Sequence, residues 1–158
     1  MTRTERETET LRILVLCIGN LCRSPFAERL LREKIPKDKL KVEVYSRGTM
    51  AERGASPSLD AIEAAKKWGI DLSDHRSHPL DLCDINTSDI ILTMDSVTAE
   101  TLNDLYELND SAVPLGRFYP DSIIVDIEDP YGKGLDAYLR CYETIAKCVE
   151  GFVSFYAE

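Results

Sequence analysis

From Arg12 onward, short aliphatic runs alternate with stretches in which apolar residues recur every three or four positions. The runs "RILVL" (12–16), "KVEVYS" (41–46) and "DIILTM" (89–94) predict strands, and their near-continuous apolar character is that of a parallel sheet covered on both faces. Between them the spacing predicts helices. The first covers 25–34, with Phe26, Leu30 and Leu31 on one face and Pro25 in its first turn. The second is "PSLDAIEAAKKWG", facing inward through Leu59, Ile62 and Ala65, with Trp68 packing its end and Gly69 stopping it. A third follows the third strand through Val97, Leu102 and Leu105, after which "AVPLGRF" (112–118) reads as a connection. The clearest helix comes last: Leu135, Tyr138, Leu139, Tyr142, Ile145, Ala146, Val149, Phe152 and Val153 keep one apolar face for about five turns.

This alternation predicts an α/β fold, a single three-layer domain with a central parallel sheet of about four strands and helices on both faces, flavodoxin-like or Rossmann-like. In such folds ligands sit beyond the carboxyl ends of the strands. The loop "CIGNLCRS" (17–24), joining the first strand to its helix, lies there.

With 158 residues, 44% of them hydrophobic, the chain fits one domain over 11–158. Residues 1–10, alternating Thr, Glu and Arg, carry almost nothing to bury and read as a disordered tail. No apolar run approaches bilayer length and no leader-like segment opens the chain, so a cytoplasmic protein without membrane contact is expected. A net charge of −9 disfavours nucleic acid as a partner, and any anionic ligand must be captured locally. Five irregularly spaced cysteines suit reduced thiols.

The loop offers such capture. A strand-to-helix turn aims backbone N–H groups and the positive end of the helix dipole at one point, which suits an anion of phosphate size. Gly19 and Asn20 tolerate the positive φ that lets N–H groups converge. Cys17, five residues, then Arg23 gives a nucleophile at one end of the cradle and a bidentate anion clamp at the other. The same positive field favours the thiolate of Cys17, and Ser24 is placed to hydrogen-bond it.

"CIGNLCRSP" resembles the signature of the low-molecular-weight protein tyrosine phosphatases, and "DPY" (129–131) resembles that family's general-acid loop. "SRGT", "DHRSHPL" and "ILTMD" resemble further family segments in the same order, so the likeness spans about 13–152. It implies a protein tyrosine phosphatase acting on phosphotyrosine-containing proteins or peptides, and on small aryl phosphates, through a cysteinyl-phosphate. Phosphate would be held by Ile18, Gly19, Asn20, Leu21, Cys22, Arg23 and Ser24, and vanadate is a natural mimic. Asp129 would be the general acid, with Asp126 and Glu128 as nearby like charge favouring its protonated form. By the same likeness Ser46 and His75 hold Asn20, Asp95 follows the third strand, and Tyr131 walls the substrate cleft. No metal or cofactor is called for, and Cys17 and Cys22 lack a second ligand pair at zinc spacing.

Two positions depart from the pattern: Thr98 stands where the family usually has asparagine, and Gly132 where many eukaryotic members have a second tyrosine. The loop "MAERGAS" (50–56) offers no aromatic residue. Cys22 reads either as a buried thiol or as a redox guard of Cys17, Cys83, Cys141 and Cys148 as core or helix-face residues, and His78 as a surface loop residue. Alternative functions are a protein arginine phosphatase of the same fold, a thiol-dependent arsenate reductase and a non-catalytic phosphate-binding module. Leu21, where arginine phosphatases tend to carry threonine, favours phosphotyrosine. "TMDSVTAET" (93–101) lacks the relay cysteines of the reductases.

Overall fold

The computed structural model describes residues 10–37 and 41–156, with Ser122 described by its backbone only. The expected tail therefore lies, except for Thr10, outside the described residues. Strand β1 (Leu11–Cys17) leads into helix α1 (Arg23–Lys34), then β2 (Val42–Gly48), α2 (Leu59–Ala65), α3 (Leu82–Thr87), β3 (Ile90–Thr93), α4 (Ser96–Tyr106), β4 (Ala112–Pro114) and α5 (Leu135–Tyr156). The strands form one parallel sheet in the order β2-β1-β3-β4. Every strand thus delivers its carboxyl end to the same edge of the sheet.

Pleating sends alternate residues of β1 to opposite faces. Ile13, Val15 and Cys17 join the larger core with α1, α2 and α5, while Leu14 and Leu16 join the smaller one with Ile85, Ala99 and Leu102 from α3 and α4. In the larger core the Phe26 and Tyr142 rings stack at 4.0 Å, and Trp68 meets Phe26 edge-on at 5.3 Å. Emptying such a position, as in Phe26→Ala, costs about 3–5 kcal/mol. Among the described residues no helix is long and apolar enough to cross a membrane.

The three-layer fold is as expected, but the inward faces of two helices are only partly so: Ala65, Leu102 and Ile62 face the core as expected. Helix α2 buries Ala61, Ala64 and Ala65 and leaves Leu59 exposed, and α4 buries Ala99 and Leu102 while Val97 and Leu105 face solvent. In α2 the fully buried face is made of alanines, and in α4 the buried face is made of Ala99 with Leu102. The start of "AVPLGRF" is strand β4, and α3 lies in a segment for which no element was expected. Helix α5 agrees with its pattern apart from exposed Leu135, and Gly69, at φ 72°, ends the turn after α2.

Candidate active site

Strand β1 ends on Cys17, whose register partner in β2 is Gly48. A Cβ on Gly48 would stand 2.6 Å from the Ile18 carbonyl oxygen and 2.9 Å from the Asn20 nitrogen, so only glycine lets the loop pass this close to β2. The Thr49 and Met50 N–H groups donate to the Cys17 and Ile18 carbonyls at 2.9 and 2.8 Å. Of the two residues expected to use positive φ, only Asn20 does, at 55°. At Gly19 a Cβ would meet nothing nearer than the Leu21 side chain at 4.0 Å, because the turn is made one residue later.

Fully buried Asn20 organises the loop. Its amide nitrogen donates to Ser24 Oγ and Ser46 Oγ, each at 2.9 Å, and its Oδ1 accepts the His78 N–H at 2.9 Å. His75 Nε2 lies 2.8 Å from the Asn20 carbonyl oxygen, which can only accept, so Nε2 carries the proton. Burial holds the His75 imidazole below its ordinary pKa, against the Asn20 hydrogen bond and Glu28, which act to raise it. Ser46 and His75 therefore both reach Asn20.

Cys17 Sγ lies 2.9 Å from Ser24 Oγ at the other end of this network. Helix α1 begins at Arg23 with neither a side-chain cap nor an acidic residue in its first turn, which leaves the positive end of its dipole facing the loop. Arg23 is 5% exposed. Its Nη1 donates to the Ile127 carbonyl at 2.8 Å, Nη2 is 3.7 Å from Asp129 Oδ2, and among the described residues Nε has no hydrogen-bond partner. A buried guanidinium with an unpartnered N–H gains most from an anion accepting from Nε and Nη2 together. Leu16, Cys17, Ile18, Arg23, Thr49, Met94, Asp95 and Thr98 line a cavity of about 20 Å³ here.

Asp129, half-exposed, comes from the long connection between β4 and α5. Its Oδ1 accepts from the Tyr131 N–H at 3.1 Å and from Cys22 Sγ at 3.6 Å. Burial first, then Cys17 and Asp129, push the Cys22 thiol far up, so it is an S–H donor at neutral pH. Asp126, in the same segment, accepts the Ser96 N–H at 3.1 Å. Asp95 caps α4 by accepting the Thr98 backbone N–H at 2.7 Å. Tyr131 is 66% exposed.

Three supports had no clear signal in the sequence. Glu28, buried in α1, accepts the Ser46 hydroxyl at 2.8 Å and pairs with Arg32 at 2.9 Å; its i, i+4 spacing from Arg32 was the only trace. His78, half-buried rather than simply a surface residue, acts through its backbone, and Tyr142 donates to the Cys22 carbonyl at 2.9 Å. Cys141 and Cys148 are buried, with thiols pushed up to about 12 by burial, whereas Cys83 is exposed on α3.

A thiol and a buried arginine with five residues between them, at the mouth of a strand-to-helix turn in a parallel α/β sheet, define a cysteine-based phosphatase. The chain belongs to the low-molecular-weight protein tyrosine phosphatase family: the model for "Low molecular weight phosphotyrosine protein phosphatase" matches residues 12–157. A probable low molecular weight protein-tyrosine-phosphatase EpsP of Ralstonia nicotianae is 36% identical over 89% of this chain and 92% of its own length. Wzb, the low molecular weight protein-tyrosine-phosphatase of Escherichia coli K12, is 32% identical over 85% of this chain and 88% of its own. Among solved structures, the YwlE arginine phosphatase of Geobacillus stearothermophilus is similar with a TM-score of 0.81 and 30% identity, covering 93% of each chain. Wzb of Vibrio vulnificus, solved with benzylphosphonate, has a TM-score of 0.80 and 30% identity, covering 92% of this chain and 98% of its own.

Proposed function

We propose that this phosphatase takes phosphotyrosine in proteins or peptides, and small aryl phosphates, through a cysteinyl-phosphate on Cys17. The observation that carries this reading is the convergence of the Cys17 thiol, hydrogen-bonded to Ser24, with buried Arg23 and with Asp129 on the same guanidinium. Arg23 and the backbone of Ile18–Ser24 hold the non-bridging phosphoryl oxygens as charge spreads over them. Cys17 Sγ attacks phosphorus, and the S–P bond forms as the bond to the phenolic oxygen breaks. Asp129 gives its proton to that oxygen, whose pKa of about 10 makes unassisted departure slow. Water then attacks the phosphocysteine, the Asp129 carboxylate takes its proton, and S–P cleavage releases phosphate and the thiolate, to which Ser24 donates a hydrogen bond. Asn20, Ser46 and His75 hold the loop in shape, while Asp95 and Tyr131 border the cleft. None of these steps calls for a metal or cofactor.

Residues 11–158 form the working domain, and five unbonded cysteines suit a reducing, cytoplasmic setting. Cys22, five positions from Cys17 in the same loop, is the guard that closes a disulfide once Cys17 has been oxidised. Arginine phosphatase activity is the second reading, favoured by the similarity to YwlE. Leu21 argues against it, since an aliphatic side chain at the mouth suits an aromatic ring. Tyrosine and arginine phosphopeptides assayed side by side decide between them. Preference for phosphotyrosine, weakened in Leu21→Thr, is expected; preference for phosphoarginine in the unaltered enzyme overturns the tyrosine reading.

A further inference from the structure

Along the outer edge of β2 runs a groove of about 680 Å³ that the phosphate loop does not use. Among the described residues its lining carries five basic side chains, Arg12, Arg32, Lys37, Lys41 and Arg47, and one acidic side chain, Glu43. In a chain of net charge −9 that is a local gathering of cations, three of them paired with carboxylates. Three of the cations are held in place: Arg12 lies 3.5 Å from Glu43, Arg32 2.9 Å from Glu28 and Arg47 3.2 Å from Asp84. The Arg12 and Arg47 guanidinium groups also sit 5.2 and 5.1 Å from the centroid of the Tyr45 ring. Lys37 and Lys41 add exposed ammonium groups.

An edge strand invites pairing with a further strand, but here the carbonyls that would receive one are occupied. The Val44 carbonyl accepts from Arg32 Nε and Nη2 at 2.9 and 2.6 Å, and the Ser46 carbonyl from Arg47 Nη1 at 2.8 Å. A partner must therefore be read through its side chains, as anions over a floor of Tyr45 and Val44. The same strand ends on Gly48, against the phosphate loop, six residues beyond Val42 and so about 20 Å away along an extended backbone.

We propose that this groove docks an acidic segment of the phosphoprotein substrate, some six to ten residues from the phosphorylated side chain, a spacing set by about 3.3 Å per extended residue. The proposal rests on the phosphotyrosine reading. A short acidic peptide fits better than nucleic acid, because the rest of this acidic chain repels a long polyanion that overruns the groove.

The test compares two tyrosine phosphopeptides with a common core, one carrying an Asp/Glu block about eight residues from the phosphotyrosine, placed on either side in separate peptides. The enzyme should show a roughly five- to tenfold lower KM for one acidic peptide at low salt, with kcat unchanged, and lose most of that advantage at about 0.5 M salt. Lys37→Glu with Lys41→Glu should abolish the advantage while leaving the melting temperature and hydrolysis of a small aryl phosphate as they were. Equal KM values in the unaltered enzyme overturn the proposal, as does a preference that survives the double substitution. So does an oligonucleotide that displaces the acidic peptide more effectively than the peptide displaces itself. Binding of the unphosphorylated acidic peptide, followed by fluorescence anisotropy, reads the groove independently of catalysis. If that binding depends on Lys37 and Lys41 while neither phosphotyrosine peptide is hydrolysed, the groove stands as an acidic-peptide site and the tyrosine reading falls.

Discussion

The cradle around Asn20 and the segment carrying Asp129 meet at Arg23, yet they are built in opposite ways. Asn20, Ser24 and Ser46 are buried and exchange hydrogen bonds among themselves, with Glu28, His75 and the His78 backbone closing the set. The connection over 119–134 is irregular and exposes Ile123, Ile124 and Tyr131. It is tied down at a few points, chiefly the Ile127 N–H to the Met94 carbonyl at 2.8 Å and Arg23 to the Ile127 carbonyl. A loop that must present fixed N–H dipoles to an anion gains from rigidity, whereas a carboxyl that gives up and takes back a proton needs access to water. The difference between the two halves is thus the difference between holding charge and moving a proton.

Removing the proposed nucleophile separates these tasks most sharply. Cys17→Ser should lower turnover by roughly four orders of magnitude or more, while phosphate or vanadate binding, followed by calorimetry, persists because Arg23 and the loop backbone remain. Substantial residual turnover would exclude Cys17 as the nucleophile. On the other half, Asp129→Asn should slow hydrolysis of phenyl phosphate by about a hundredfold to ten-thousandfold, and slow an aryl phosphate with an acidic phenol far less. Asp126→Asn, whose carboxylate is engaged by Ser96, should show no such leaving-group dependence. An equal slowing of both substrates by Asp129→Asn would mean that the proton comes from elsewhere.

Stability should divide the same way. Asn20→Ala removes a side chain that makes three hydrogen bonds, strands their partners in the interior and puts alanine, which tolerates the left-handed region less well than asparagine, at φ 55°. About 2–4 kcal/mol is expected, read as a fall in the denaturant midpoint. Tyr131→Ala, on the exposed segment, should cost under about 0.5 kcal/mol. Comparable losses at the two positions would show that the acid segment is as tightly built as the cradle.

How legible each half was in the sequence follows from the same contrast. The cradle is local, eight residues between a strand and a helix, so Cys17, Asn20, Arg23 and Ser24 could be read as one unit from spacing alone. Asp129 reaches Arg23 across 106 positions, and only the family resemblance linked them. Apolar periodicity predicted α5 well because one long face meets the core. It was right only in part for α2 and α4, where Ala65 and Leu102 turn inward but Leu59, Val97 and Leu105 turn out. Strand β4 is three residues long, too short for any period to register. Glu28 drew no reading from the sequence, because nothing local says that its carboxylate lies under Ser46.

The smallest expected effect concerns protons within the cradle itself. His75 sits under the Asn20 carbonyl with Glu28, Arg29 and Asp74 around it, and burial is the leading cause of its lowered pKa. In the unfolded chain the same imidazole titrates near about 6.5. Between the lowered folded value and that one the unfolded state binds more protons, so stability must rise with pH across this window. The contribution is complete above the unfolded value and is lost as pH falls through the folded one. His75→Gln can still present an N–H toward the Asn20 carbonyl but cannot take up a proton, so it should flatten that part of the profile. Urea melts of both proteins at half-unit steps from pH 7.5 to 5 measure it: the two midpoints should draw together as the medium becomes more acidic. If instead they fall in parallel over the whole range, His75 is not the group held neutral, and the acid sensitivity of the cradle lies with its carboxylates.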